Sequence, residues 1–295
     1  MMQRHTADSW ERRTRVWFTA LGLPSFGWFA LFLLVPIGLL TALSLGWDLG
    51  QDWQTTSLNT LTLRKVLEAP YGQITVHTFV LSALATGLCL LLAFPLCLFL
   101  WRQKQSRNPW LLGLILAPFL INFIVRVYAW FLLLRPEGLI GHGLLLLGYP
   151  HTLISSTEGV LLGLVYGYVP FMILPLWATF STLDPKLWEA GEDLGARSGT
   201  ILWRIIWPQC RSGVIAGCLL VFIPMLGEYT IPKMLGGGLI PTLGTSIESQ
   251  FFSGVRPHWG FGAALSLWLM VIISGLLLCF RKSVGLALRE RSKDL

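Results

Sequence analysis

Charge is scarce in this sequence. Asp, Glu, Lys and Arg make up 13% of its 295 residues, about half the share of a soluble domain. With 54% hydrophobic residues and a mean hydropathy of +0.64, the chain has too few charges to solvate an ordinary surface. Cysteine is also sparse. Cys89, Cys97, Cys218 and Cys279 lie in apolar runs, Cys210 lies at the edge of one, and none has CxxC spacing. That gives no support to a disulfide framework or a zinc site. His5, His77, His142, His151 and His258 are scattered, and no ligand role falls to them. There is no Gly-x-x-x-x-Gly-Lys-Ser/Thr loop, so the chain does not cradle ATP in the usual way. A Ser-His-Asp order, HExxH and a paired intramembrane aspartate are all missing too, which leaves a membrane enzyme without a catalytic set. The net charge of +7 comes with no basic helix and no basic patch interleaved with aromatics, so nucleic acid is not the expected partner.

What the chain does have is long apolar runs. They fall at about 23–45, 74–100, 110–134, 159–180, 213–234 and 260–280, each near or above the roughly 20 residues that cross a bilayer as helix. The expected fold class is therefore all-α, a polytopic membrane protein with six transmembrane helices. The first run is too long for a signal-peptide core, and no small-residue cleavage site follows it. Residues 135–158 carry Pro136, Gly138 and Gly141 with a short apolar run from Leu144 to Leu147. That run is too short to cross, and it is expected at the interface or as a re-entrant piece. Six spans place both termini on one side, where 16 Lys/Arg fall against 5 in the opposite loops. The positive-inside rule makes the terminal side cytoplasmic. Residues 1–22, with Arg4, Arg12, Arg13 and Arg15, read as a basic lead, 23–280 as the membrane domain and 281–295 as a basic tail.

One polar segment, 184–208, stands between two apolar runs. Asp184 before Pro185 suits a helix start, because a side-chain oxygen can cap free N–H groups and proline has none to orphan. Glu189, Glu192 and Asp193 follow, and Gly195 can end the helix in a left-handed conformation. Leu187, Ala190, Gly191 and Leu194 share one side at spacings of three and four, where small residues leave room for another surface. Charge and amphipathicity alone also fit a solvated loop with a glycine stop. The order Glu189-Ala190, Gly195, Ile205, Pro208 resembles the signature of the integral-membrane subunits of type I ABC importers. In that family the segment is a coupling helix, here about 185–195, seated in a groove of a cytoplasmic ATPase. The chain departs from the pattern with Gly191 where alanine is usual and Trp207 where leucine is usual.

The resemblance extends over about 75–280. Asn122 to Trp130 (NFIVRVYAW), Tyr166 to Phe171 (YGYVPF), Gly227 to Pro232 (GEYTIP) and Leu235-Gly236-Gly237 are similar to permeases of polyamine (putrescine/spermidine) importers. An acid would be expected after Ile231-Pro232, and this chain has Lys233. The resemblance implies one half of a pore, paired with a second permease subunit as a heterodimer. It also implies a bacterial inner membrane, an extracytoplasmic substrate-binding protein, and two ATPase subunits that hold the ATP and Mg²⁺. Iron, opine and thiamine systems remain alternatives within the class. A stand-alone carrier is the alternative outside it, although the two halves show no inverted repeat.

Five residues are expected along the substrate path. Glu228 lies 17 positions after Arg211, roughly 25 Å up a continuous helix. An ionised group there needs a cavity or a partner, and a carboxylate suits a pore for protonated amines. Arg126, 16 positions after Trp110, reaches a similar depth, roughly 24 Å on the same reckoning. An Arg126–Glu228 pair and a substrate contact are thus both open. Tyr128, Trp130, Tyr166 and Tyr168 are the aromatic candidates, since a ring face attracts an ammonium group. Trp130 is the first of them to suit an interface anchor instead. Tyr128 and Tyr168 are kept for the path with Tyr229, the neighbour of Glu228. Tyr168 stands first among these rings.

Overall fold

The computed structural model describes residues 24–46, 64–103, 109–148, 153–252 and 258–291. The basic lead 1–22, Lys104, Arg107, His151, Arg256 and the side chains of the basic tail lie outside the described residues. The described residues are helical, with no strand among them. In chain order they form α1 (Pro24–Ser44), α2 (Tyr71–Arg102), α3 (Pro109–Leu116), α4 (Phe123–Leu134), α5 (Leu139–Leu146) and α6 (Thr157–Phe180). Then come α7 (Lys186–Asp193), α8 (Ser198–Leu226), α9 (Thr230–Leu235), α10 (Leu243–Phe252) and α11 (Trp259–Arg291).

The core is a three-helix seam. α6 runs through the middle and packs on α2 to one side and α8 to the other. Cys89, Ala93 and Cys97 from α2, Leu164, Met172, Leu176 and Phe180 from α6, and Ile206, Cys210 and Val221 from α8 fill it. Small residues set the approach. A methyl group on Gly217 of α8 would come within 2.6 Å of the Met172 sulfur, and one on Gly167 of α6 within 3.3 Å of Ile231. Apolar side chains gain nothing by leaving lipid for one another, so close backbone approach and dispersion hold such seams. The outer faces are apolar as well. α1 exposes Phe26, Trp28, Phe29 and Leu31, and α2 exposes Val76, Phe79, Leu84 and Leu91. On a water-soluble protein that area would be a liability; facing hydrocarbon, it is the required surface.

Three expected spans change shape. The run at 110–134 is broken: a 3₁₀ turn (Ala117–Leu120) containing Pro118 ends at an extended Ile121. Asn122 then caps α4 by accepting the Ile124 N–H at 2.9 Å. The pieces Gly113–Leu120 and Phe123–Leu146 meet at 88°. The continuous-helix reckoning for Arg126 therefore fails, because a capped break interrupts the rise. The fifth span starts at Ser198 rather than 213. It ends at Leu226, two residues past Pro224, and Gly227 leads into a turn. α11 continues past 280 to Arg291.

Candidate functional site

The polar segment folds as its residues dictate. Asp184 Oδ1 accepts the Lys186 N–H at 2.9 Å, which caps α7. At its other end Gly195 takes φ +76°. The Gly195 N–H donates to the Glu192 carbonyl at 2.8 Å and the Ala196 N–H to the Gly191 carbonyl at 3.0 Å. This pair of reversed bonds is the Schellman arrangement that a left-handed residue permits.

α7 is held on two sides by its own chain. Gly191 faces α8: a methyl there would meet Ile201 Cγ1 at 2.9 Å and Ile205 Cδ1 at 3.5 Å. The surface that approaches the small residue is thus this subunit's own α8. Gly191 is buried, Leu187 is half-buried, and Ala190 and Leu194 point outward with Glu189 and Asp193. Leu194 is 87% exposed. Beyond it, Ile205 lies in a π turn (Leu202–Ile206) in which the Trp207 N–H reaches back to the Leu202 carbonyl. Pro208 has no N–H to continue the ladder. The Gln209 side chain donates to the Ile205 carbonyl at 3.2 Å.

The second anchor is Trp188, which the sequence reading missed. Its indole is buried, worth at most about 5 kcal/mol for roughly 200 Å² of ring removed from water. The indole N–H donates to Glu192 Oε1 at 2.6 Å. From the end of α2, the Arg102 guanidinium lies 4.1 Å over the same ring and 3.9 Å from Glu192. Trp101 donates its indole N–H to the Leu183 carbonyl at 3.3 Å. A cavity of about 170 Å³ lies between Trp101, Arg102, Pro185, Trp188, Glu189 and Glu192. The spacing of Trp188 and Glu192, four apart, was readable; Arg102, 86 residues upstream of Trp188, was not.

Glu228 sits in the turn between α8 and α9. Its Oε2 accepts the Tyr168 hydroxyl at 2.8 Å. Its Oε1 accepts the N–H groups of Thr230 at 2.8 Å and Ile231 at 3.3 Å. The carboxylate therefore caps α9 and ties that helix to α6, with its charge against a helix N-terminus. Thr242 donates to the Glu228 carbonyl at 3.4 Å, and Gly244 packs so closely that a methyl would lie 2.6 Å from the Gly227 carbonyl. Tyr168 is 8% exposed. Tyr229, next to the carboxylate in sequence, is exposed. Tyr128 is exposed too and stacks on Phe131, centroids 6.0 Å apart.

Arg126 and Glu228 form no ion pair. Arg126 Nε and Nη1 are buried with no hydrogen-bond partner among the described residues. The guanidinium lies over Phe119 at 5.2 Å and Phe123 at 5.8 Å, in a recess walled by Trp130, Gly163, Tyr166 and Leu235. The break at Ile121 and the 88° bend remove the continuous helix on which the expected pairing rested. Lys233, where an acid was expected, lies 2.6 Å from Glu248 Oε1. No group of metal-binding side chains occurs among the described residues.

A bacterial ABC transporter that imports the acidic polysaccharide alginate matches this fold with a TM-score of 0.65 at 17% identity. The match covers 95% of this chain and 98% of that one. At that identity the likeness is one of fold, and the class, the membrane-spanning permease subunit of an ABC importer, rests on relatives closer in sequence. No protein-family model matches the chain. The spermidine/putrescine permease PotB of Haemophilus influenzae is 31% identical over 90% of this chain and 93% of its own. PotB of Escherichia coli K12 is 33% identical over 86% and 93%. The molybdenum permease ModB of Mycobacterium bovis is 30% identical over 65% and 71%. The chain belongs to the spermidine/putrescine transport-system permease family.

Proposed function

We propose that this subunit forms half of a pore that imports polyamines, driven by partner ATPases. The observation that carries the substrate is identity of 31% and 33% with the spermidine/putrescine permeases over 90% and 86% of the chain. Glu228 supports it, because a carboxyl group held in place by one hydroxyl and two backbone N–H groups is a hydrogen-bond acceptor of the kind that suits a protonated amine. Tyr168 positions the carboxylate, while Tyr229 and Tyr128 offer exposed ring faces to an ammonium group.

In this reading the exposed side of α7, with Glu189 and Ala190, fits a cytoplasmic ATPase. Gly191, Gly195, Ile205 and Pro208 shape the lever behind it. Two ATPase subunits hold ATP and Mg²⁺, a second permease subunit completes the pore, and a binding protein delivers substrate from outside. A structural neighbour is itself described as an alginate transporter in complex with a substrate-bound periplasmic protein. Both termini and α7 face the cytoplasm of a bacterial inner membrane. ATP and the docked binding protein supply the differential binding that alternation requires.

An anionic cargo is the second reading. The unpaired N–H groups of Arg126 favour it, as does the likeness to a molybdenum permease. One assay separates the two: ATPase activity of the reconstituted complex, screened with putrescine, spermidine, molybdate and an alginate oligosaccharide. Stimulation by the amines alone is expected; stimulation by molybdate with none from either amine would overturn the polyamine assignment.

A further inference from the structure

The chain leaves α6 and passes through Leu183 into α7, and it leaves α7 through Gly195 into α8. Covalent continuity therefore links α7 to α6 and α8 only. Yet α2 is the third member of the core seam, and nothing in the chain's course ties it to α7. Two contacts do so through space. Trp101 hydrogen-bonds the Leu183 carbonyl, and Arg102 lies flat over the Trp188 ring with Glu192 beside it.

The residues of this contact are interdependent. Glu192 accepts from the buried Trp188 indole and faces Arg102 with the same oxygen, Oε1. Trp188 thus offers a cation its ring face while its N–H fixes the anion. Trp101 is 1% exposed, and its ring packs against Phe180 at the end of α6 with centroids 6.1 Å apart, so the end of α2 is not free to swing. Trp188, Glu192 and Arg102 all lie outside the Glu–Ala…Gly…Ile…Pro signature.

We infer that Arg102, Trp188 and Glu192 form a latch that transmits movement of α7 to α2, and that they are positioning residues for coupling ATP hydrolysis to transport. The inference rests on α7 being the segment the ATPase grips. Without the latch, a push on α7 reaches α2 only indirectly, through Trp101 and the packing of α2 on α6 and α8, and the three-helix seam follows α7 less completely. Arg102 suits this role better than lysine, because a planar guanidinium can stack on an indole and reach a carboxylate together.

The test uses the complete transporter in proteoliposomes, with substrate transported per ATP hydrolysed as the readout. Arg102→Met keeps the side-chain length and removes the charge. Glu192→Gln keeps an acceptor for the indole and also removes a charge. Each is expected to leave unstimulated hydrolysis intact and to lower the transport-to-hydrolysis ratio about three- to tenfold. That is the range by which one exposed cation–π contact and one exposed ion pair can bias a two-state element. The double variant should be no worse than either single one, and Arg102→Lys should recover part of the ratio. A wild-type ratio in Arg102→Met overturns the latch. Failure of all three single variants to assemble with the ATPase also overturns it, by assigning the contact to folding. Ala190→Asp, on the outward face of α7, is the control for the underlying reading. If it uncouples while Arg102→Met does not, only the latch fails; if it binds and couples the ATPase normally, the grip on α7 fails first.

Discussion

Replacing Glu228 by Gln separates a structural carboxylate from a substrate-binding one. The native group accepts three hydrogen bonds, from the Tyr168 hydroxyl and the N–H groups of Thr230 and Ile231. A glutamine oxygen can keep the two backbone donors, while its NH₂ faces a tyrosine oxygen that must then act as acceptor. The change turns charge-assisted bonds, worth about 1.5–3 kcal/mol each, into neutral ones of about 0.5–1.5 kcal/mol. It also removes a favourable charge at a helix start, about 0.3–1 kcal/mol. Glu228 is only partly buried, so solvent takes up part of each difference, and the net stability loss should be about 1–3 kcal/mol. Tyr168→Phe makes the comparison: it removes one donor, leaves the charge, and should cost about 1.5–3 kcal/mol. The assay is uptake of labelled putrescine by proteoliposomes, beside thermal unfolding of the purified complex. With the two variants matched in stability, Glu228→Gln should lose at least about tenfold in uptake, the equivalent of 1.4 kcal/mol in the translocation barrier. Tyr168→Phe should keep most of it. Equal uptake in both would refute the substrate role and leave the carboxylate as a cap.

Gly195→Ala tests the helix stop. Nothing lies within 4 Å of a Cβ built there, so the cost is the left-handed backbone alone, about 1–2 kcal/mol, and it should appear as weaker ATPase retention on co-purification. Arg126→Met removes two buried N–H groups that lack acceptors; thermal unfolding should show no loss, or a gain of about 1–2 kcal/mol, with polyamine uptake kept. A sharp fall in uptake by that variant would favour the anionic reading. Gly217→Leu drives a side chain into Met172 and Pro175, and should cost about 3 kcal/mol or more by separating α8 from α6, measured as lost assembly in detergent. Lys233→Met leaves the Glu248 carboxylate, 14% exposed in its side chain, without its cation; an unfolding midpoint lower by the equivalent of about 1 kcal/mol is expected.

Local rules were legible from the sequence where one residue governs its own backbone. Asp184 capped, Gly195 turned left-handed, and the apolar runs became helices because each outcome depends on atoms within a few positions. What the sequence hid came from contacts between distant segments or from punctuation inside an apolar run. Pro118 and Asn122 broke the third run, and neither is polar enough to stand out in a window of twenty. Arg126 and Glu228 matched in depth only on a continuous-helix reckoning, and the break at Ile121 removes its basis for Arg126. The Glu228 cap needed α9 to start two residues later, which a reading of 213–234 as one span concealed. Gly191 read as room for another surface, and only the folded chain shows that surface to be Ile201.

That last placement bears on how the signature is read. Glu189 and Ala190 point out of the subunit, but Ile205 packs back toward Gly191, and Pro208 follows the π turn at the base of α8. A π turn admits one residue more than an α turn, so the faces of α8 beyond Ile206 are rotated by about 100° from those before it. Ile205 can then meet α7 while Ile206 and Cys210, both fully buried, enter the core. On the proposed coupling role, the spacing from acid to proline is the geometry of two jobs joined by one glycine turn. One end would present the face for the ATPase, and the other seats α8 against α7. Substitutions at Ile205 or Pro208 should accordingly loosen the seat without touching the grip, binding the ATPase normally while transmitting its stroke poorly.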